Sequence, residues 1–112
     1  QRQKNMPMTV VPDGAQRRDF THVIDVAAAN LLAMSSAKAG AGEIINIGTG
    51  VNYSVREAAD MIGGAWEFAL PRQGEVRETL ADITRARALL GWEPKVSFEE
   101  GIAELKKMHG LG

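Results

Sequence analysis

Three side chains in this sequence have the types needed to hold a phosphorylated ligand: Arg18, Arg72 and Glu75. Arg18 follows a glycine-containing turn on a strand-like run, and Arg72 follows Pro71 in a polar loop that reaches Glu75. A guanidinium is a planar fork that contacts phosphate through two N–H groups, so two converging forks suit a diphosphate. A carboxylate nearby can accept hydrogen bonds from ribose hydroxyls. Surface ion pairs with Asp19 or Glu75 account for the same residues, and spacing alone leaves both readings open.

Other constellations read as structural. Ile45-Asn46-Ile47-Gly48-Thr49-Gly50 runs an apolar segment into a Gly-x-Gly turn, but Tyr53 stands where a dinucleotide fingerprint needs a small residue. Tyr53 is the only tyrosine, and the residue four positions on is Glu57 rather than lysine. Carboxylates beside a phenol raise its pKa, which disfavours it as a base. His22 and His109 have no companion at metal-ligand spacing, and His22 reads as a hydrogen-bonded strand residue. Glu99 and Glu100, then Lys106 and Lys107, suit the two ends of one helix dipole. The residues therefore propose no catalytic group and no metal ligand.

The elements that must position these side chains alternate short strands with capped helices. Met8 to Val11 reads as a strand closed by the turn Pro12-Asp13-Gly14, and Arg18 to Val23 as a second. Asp25 is expected to cap a helix carrying Val26, Ala29, Ala33 and Ala37, ended by Gly40 and Gly42. Glu43 to Ile47 reads as a buried strand. Ser54 and Glu57 form a capping box for a helix with Val55, Ala58, Ala59 and Ile62 on one face, stopped by Gly63-Gly64.

Trp66 to Leu70 is a further strand, and Val76 to Ala81 is extended. Asp82 or Thr84 caps a short helix with Ile83, Ala86 and Leu90. Ser97 and Glu100 suggest a last capping box, with Phe98, Ile102 and Leu105 as the buried stripe behind it. The class is α/β or α+β: one small domain over residues 1–112, with short strands and about four helices.

Composition narrows the function classes. The 112 residues carry 13 basic and 14 acidic side chains, a net charge of -1, which lacks the footprint of a nucleic-acid binder. No apolar run reaches the length of a membrane span, and absent cysteines suit the cytoplasm. Only 5% of the residues are aromatic, so the core is aliphatic and thin. The chain opens Gln1-Arg2-Gln3 rather than with Met, and we expect part of something longer or a processed product.

Three blocks resemble one family, in its order and spacing. Residues 9–26, T-V-V-P-D-G-A-Q-R-R-D-F-T-H-V-I-D-V, are similar to the stretch opening the C-terminal part of extended short-chain dehydrogenase/reductases, the NAD-dependent nucleotide-sugar epimerases and dehydratases. Residues 43–50, E-I-I-N-I-G-T-G, resemble its next block. Residues 71–101, from P-R-Q-G-E-V-R-E-T-L-A-D-I through L-L-G-W-E-P-K-V-S-F-E-E-G, resemble the last, in a form most like UDP-glucose or UDP-N-acetylglucosamine 4-epimerases.

The resemblance implies roles. Arg18 and Arg72 match the family arginines on the nucleotide diphosphate, Glu75 the acidic residue on the ribose hydroxyls, and Thr9 and Val11 the strand whose backbone reads the uracil edge. Pro12 departs from the family's glycine, removing an N–H and fixing φ. The family's Rossmann half, with its NAD site and catalytic tyrosine and lysine, has no counterpart among these residues. The resemblance therefore implies a substrate-binding portion that clamps a UDP-sugar, binds no cofactor itself and is inactive alone, NAD belonging to the parent enzyme. The competing expectation is a free-standing binding or oligomerisation module. Either way the chain is expected to partner the missing half or a second copy of itself, as a dimer.

Overall fold

A computed structural model describes all 112 residues, as a mixed α/β chain whose segments build two compact units. The first comprises Gln1–Arg18, Tyr53–Thr79 and Glu99–Gly112; the second comprises Asp19–Asn52 and Leu80–Phe98. No linker composition marks the division, because each unit is assembled from interleaved segments.

In the first unit β1 (Met8–Val10) pairs in parallel with β4 (Trp66–Phe68), in the register Met8–Trp66, Thr9–Glu67 and Val10–Phe68. Met8 and Val10 alternate inward and pack with Ala59, Val55, Ile62 and Trp66. The two-residue β2 (Arg17–Arg18) runs antiparallel to β3 (Tyr53–Ser54). Its other side meets residues 77–79: Arg17 N–H donates to the Arg77 carbonyl at 2.9 Å, and Thr79 N–H to the Arg17 carbonyl at 3.0 Å. The extended reading of Val76 to Ala81 is thus realised around one bridge, Arg17–Glu78.

Helix α2 (Val55–Ile62) follows β3 directly and carries the expected capping box. Ser54 Oγ accepts from Glu57 N–H at 3.1 Å and Glu57 Oε2 from Ser54 N–H at 2.6 Å. Gly63, at φ 79°, ends the helix. In α3 (Phe98–Met108) the expected buried stripe is only partly covered: Phe98 and Ile102 are half-buried, no residue of the helix is fully buried, and Leu105 is 51% exposed. An amphipathic pattern specifies a face, and burial needs a neighbouring surface to cover it.

The second unit surrounds Ala29, Ile83, Ala86, Leu90 and Trp92. Helix α1 (Val23–Ser35) begins at the point where the sequence suggested a strand, and its N-cap is His22, whose Nδ1 accepts from Ile24 N–H at 3.3 Å. Asp25 is therefore not the cap. It is 2% exposed; its Oδ2 accepts from Lys95 and Val96 N–H at 3.1 and 3.0 Å, and its carbonyl from Trp92 Nε1 at 2.9 Å. The helix stops at Ser35, short of Ala37, where Ser36 turns extended and donates to the Leu89 carbonyl at 2.5 Å.

Glu43 to Ile47 joins no sheet, contrary to the expected strand. Ile45 and Ile47 do pack on the core, and Ile44 is 79% exposed, so the alternation is present without a partner strand. Ala86–Leu90 is a π-helical turn ended by Gly91 at φ 61°. Ahead of it Asp82 Oδ1 accepts from Thr84 N–H at 3.0 Å.

Candidate functional site

The structure brings Arg18, Arg72 and Glu75 together in the first unit. Arg18 ends β2, and the bridge between Arg17 and Glu78 carries the returning chain alongside it. Gly74, at φ 75°, supplies the left-handed turn just before Glu75. Arg18 Nη2 donates to Glu75 Oε1 at 2.5 Å, and the two side chains are 25% and 23% exposed. Arg72 Nη1 lies 3.9 Å from the other carboxylate oxygen, on a side chain that is 71% exposed.

One carboxylate therefore sits between two guanidinium forks, leaving the cluster with positive charge in excess. Arg18 also donates through Nη1 to the Arg17 carbonyl at 2.7 Å, which fixes the plane of its fork. The neighbouring Arg17 and Arg77 bond to Glu57 at 3.2 Å and to Asp13 at 2.9 Å. An anion approaching Arg18 and Arg72 meets a half-buried, oriented fork and a solvent-facing one.

Thr9 and Val11 make no bond to this cluster. Thr9 is exposed at the centre of β1, with its N–H on Gln1 Oε1 at 3.1 Å. Val11 lies one residue beyond the strand. Its carbonyl accepts from Gly14 N–H at 2.9 Å and from Gln16 Nε2 at 2.9 Å, which fills both lone-pair directions. The turn through Pro12 is thus closed without the glycine of the family pattern.

The residue that spacing did not single out is Asp19. In the second unit its Oδ1 accepts from Thr49 N–H at 2.8 Å and Thr49 Oγ1 at 2.7 Å, and its Oδ2 from Gly50 N–H at 2.9 Å and Ala81 N–H at 3.2 Å. Burial alone would push its carboxyl pKa up, but these bonds together outweigh that and hold it below the ordinary value. A Cβ at Gly48 would stand 2.3 Å from the Ala81 Cβ and 2.8 Å from Asp19 Oδ2, so close approach requires the glycine. The turn's amides are occupied by a carboxylate and do not fit a dinucleotide pyrophosphate. Backbone donors of a Gly-Thr-Gly turn need acceptors, which was the available signal for an acidic partner.

Tyr53 donates its hydroxyl to Glu99 at 2.8 Å, and that bond, with the carboxylate's charge, raises the phenol pKa above 10.0. The side chain is therefore poorly suited to accept a proton. No helix is long and apolar enough to cross a membrane.

A sequence profile for GDP-mannose 4,6-dehydratase matches residues 1–105. The UDP-glucose 4-epimerase of Mycolicibacterium smegmatis is 44% identical over 98 residues, covering 82% of this chain and 31% of the relative. The Thermotoga maritima UDP-glucose 4-epimerase, solved with UDP-glucose, superposes with a TM-score of 0.82 at 36% identity, covering 95% of this chain and 37% of that one. The Bacillus cereus UDP-glucuronic acid 4-epimerase, solved with UDP-glucuronic acid and NAD, gives 0.85 at 30% identity, covering 96% and 36%. The chain spans about a third of the length of the relatives it matches.

Proposed function

The chain belongs to the GDP-mannose 4,6-dehydratase family of NAD-dependent nucleotide-sugar epimerases and dehydratases, and from that premise we propose that it is the C-terminal, nucleotide-holding part of a UDP-sugar 4-epimerase. The observation that carries the reading is the convergence of Arg18 and Arg72 on Glu75. A diphosphate placed there draws both forks, and Glu75, released from bridging, turns to the ribose hydroxyls. Arg18 keeps its bond to the Arg17 carbonyl throughout, so its fork is aimed before the ligand arrives. The backbone edge of β1 at Thr9 and Val11, on the side away from β4, takes the uracil.

When bound in a relative, NAD supplies the transient hydride acceptance of the reaction. The residues here do not fit it: Asp19 holds the Thr49 and Gly50 amides of the Gly-Thr-Gly turn, the one place where a strand-like run meets a Gly-x-Gly sequence. These 112 residues by themselves bind nucleotide without turning it over. Calorimetric titration tests this: UDP should bind, Arg18→Ala should weaken it about tenfold or more, and UDP-glucose with NAD should show no turnover. Unchanged UDP affinity in the variant would refute the clamp.

A second observation favours association through α1. Val23, Ile24, Leu31 and Met34 are 72%, 62%, 67% and 84% exposed. An apolar face of that kind is covered in a partner, either the dinucleotide-binding part of the family enzyme or a second copy. The free-standing module reading rests on this face alone.

A further inference from the structure

The carboxamide of Gln1 occupies the backbone edge assigned above to the nucleotide base. Met8 and Val10 direct their hydrogen bonds to the β4 side: Met8 N–H donates to the Ala65 carbonyl at 3.0 Å, and the Val10 carbonyl accepts from Ala69 N–H at 2.8 Å. The backbone of Thr9 therefore faces the other edge of β1, where no strand pairs. Gln1 fills that edge with a matched pair of contacts. Its Oε1 accepts from Thr9 N–H at 3.1 Å, and its Nε2 donates to Thr9 Oγ1 at 3.1 Å. A carbonyl oxygen beside an N–H on one planar carbon is also what the imide edge of a uracil presents.

The placement of Gln1 is built into the first unit. A 3-10 turn over Arg2–Lys4 and a left-handed Asn5, at φ 53°, fold the chain back along β1. The Gln1 carbonyl accepts from Lys4 N–H at 2.9 Å and Met6 N–H at 3.1 Å, which fixes the main chain and leaves the side chain to face Thr9. Gln3 Nε2 anchors the same turn from its other side by donating to the His109 carbonyl at 3.3 Å.

We propose that Gln1 is an intramolecular competitor for the base: its carboxamide mimics the imide edge and must leave Thr9 before a uracil can pair there. The inference rests on the proposed reading of Thr9 as a base contact. The competitor is weak, since both of its bonds are exposed and exchange readily with water. It acts on the base alone and leaves the arginine clamp untouched.

The test compares the full chain with Gln1→Ala and Gln3→Ala, titrated with UDP and with inorganic pyrophosphate. Gln1→Ala should bind UDP about three- to tenfold more tightly and pyrophosphate unchanged, and Gln3→Ala, which loosens the turn that places Gln1, should tighten UDP in the same direction and by less. If all three chains bind UDP equally and pyrophosphate still binds, Gln1 is no competitor and the clamp stands. Equal tightening of UDP and pyrophosphate by Gln1→Ala would also overturn the proposal, as a general effect on the unit. If no chain responds to UDP or to pyrophosphate, the clamp fails and the competition fails with it.

Discussion

Arg18 and Glu75 stand 57 residues apart in the chain and meet at 2.5 Å, three-quarters buried, where β2 ends. The contact holds the Arg18 fork in one orientation, and the same carboxylate faces Arg72. A pair shared in this way orients the fork and, in the proposed function, gives up its counter-charge to a ligand.

Glu75→Gln separates those two roles. The amide keeps the shape and removes the charge that competes with phosphate for the guanidiniums. Pyrophosphate should bind the variant as well as before or better. UDP should weaken by roughly tenfold, the loss expected for a charged hydrogen-bond acceptor at the ribose. Equal losses for both ligands would contradict the assignment of Glu75 to the sugar.

Asp19 makes the stability of the second unit depend on acid. Its folded pKa lies below the ordinary 3.8, so its contribution is complete above that value. The contribution is lost as pH falls through the lower folded value, because protonation removes the charge that strengthens the four hydrogen bonds and turns one accepting oxygen into a donor. Asp19→Asn should cost about 2 kcal/mol at neutral pH, and the variant should lose part of the wild-type stability gain between strongly acidic and neutral pH. Denaturant unfolding across that range reads both effects.

Tyr53 should stay protonated well into alkaline solution. Its bond to Glu99 raises the phenol pKa above 10.0, so Glu99→Ala should bring the titration back toward that figure. As Tyr53 is the only tyrosine, phenolate absorbance reports it directly. An identical titration curve in both chains would show that the bond does not persist in solution.

The exposed face of α1 should drive association. Light scattering at high concentration is expected to give a dimer or larger species, and Leu31→Glu with Met34→Glu should return the chain to a monomer. A monomeric wild-type mass would remove the module reading.

Much of this arrangement was legible where a local rule decides the outcome. The capping box at Ser54 and Glu57, the stop at Gly63 and the strand from Met8 all follow from neighbours within four residues. The family blocks singled out Arg18, Arg72 and Glu75, but their meeting depends on the Arg17–Glu78 bridge, which no local pattern encodes. Asp25 is a sound N-cap type one turn too late. His22 caps instead, because Trp92 Nε1 and the amides of Lys95 and Val96 draw Asp25 inward. Glu43 to Ile47 alternates as a strand should, but a ladder needs a second strand that these residues do not supply.

The central claim is that the first unit carries a preformed half-site for a uridine diphosphate, and an amide-resolved NMR titration with UDP tests it most directly. Saturable shifts confined to Thr9–Val11, Arg18 and Arg72–Glu75 are expected, with Thr9 moving as Gln1 departs. A well-dispersed spectrum that does not move at millimolar UDP would contradict it, leaving the family fold without the nucleotide site.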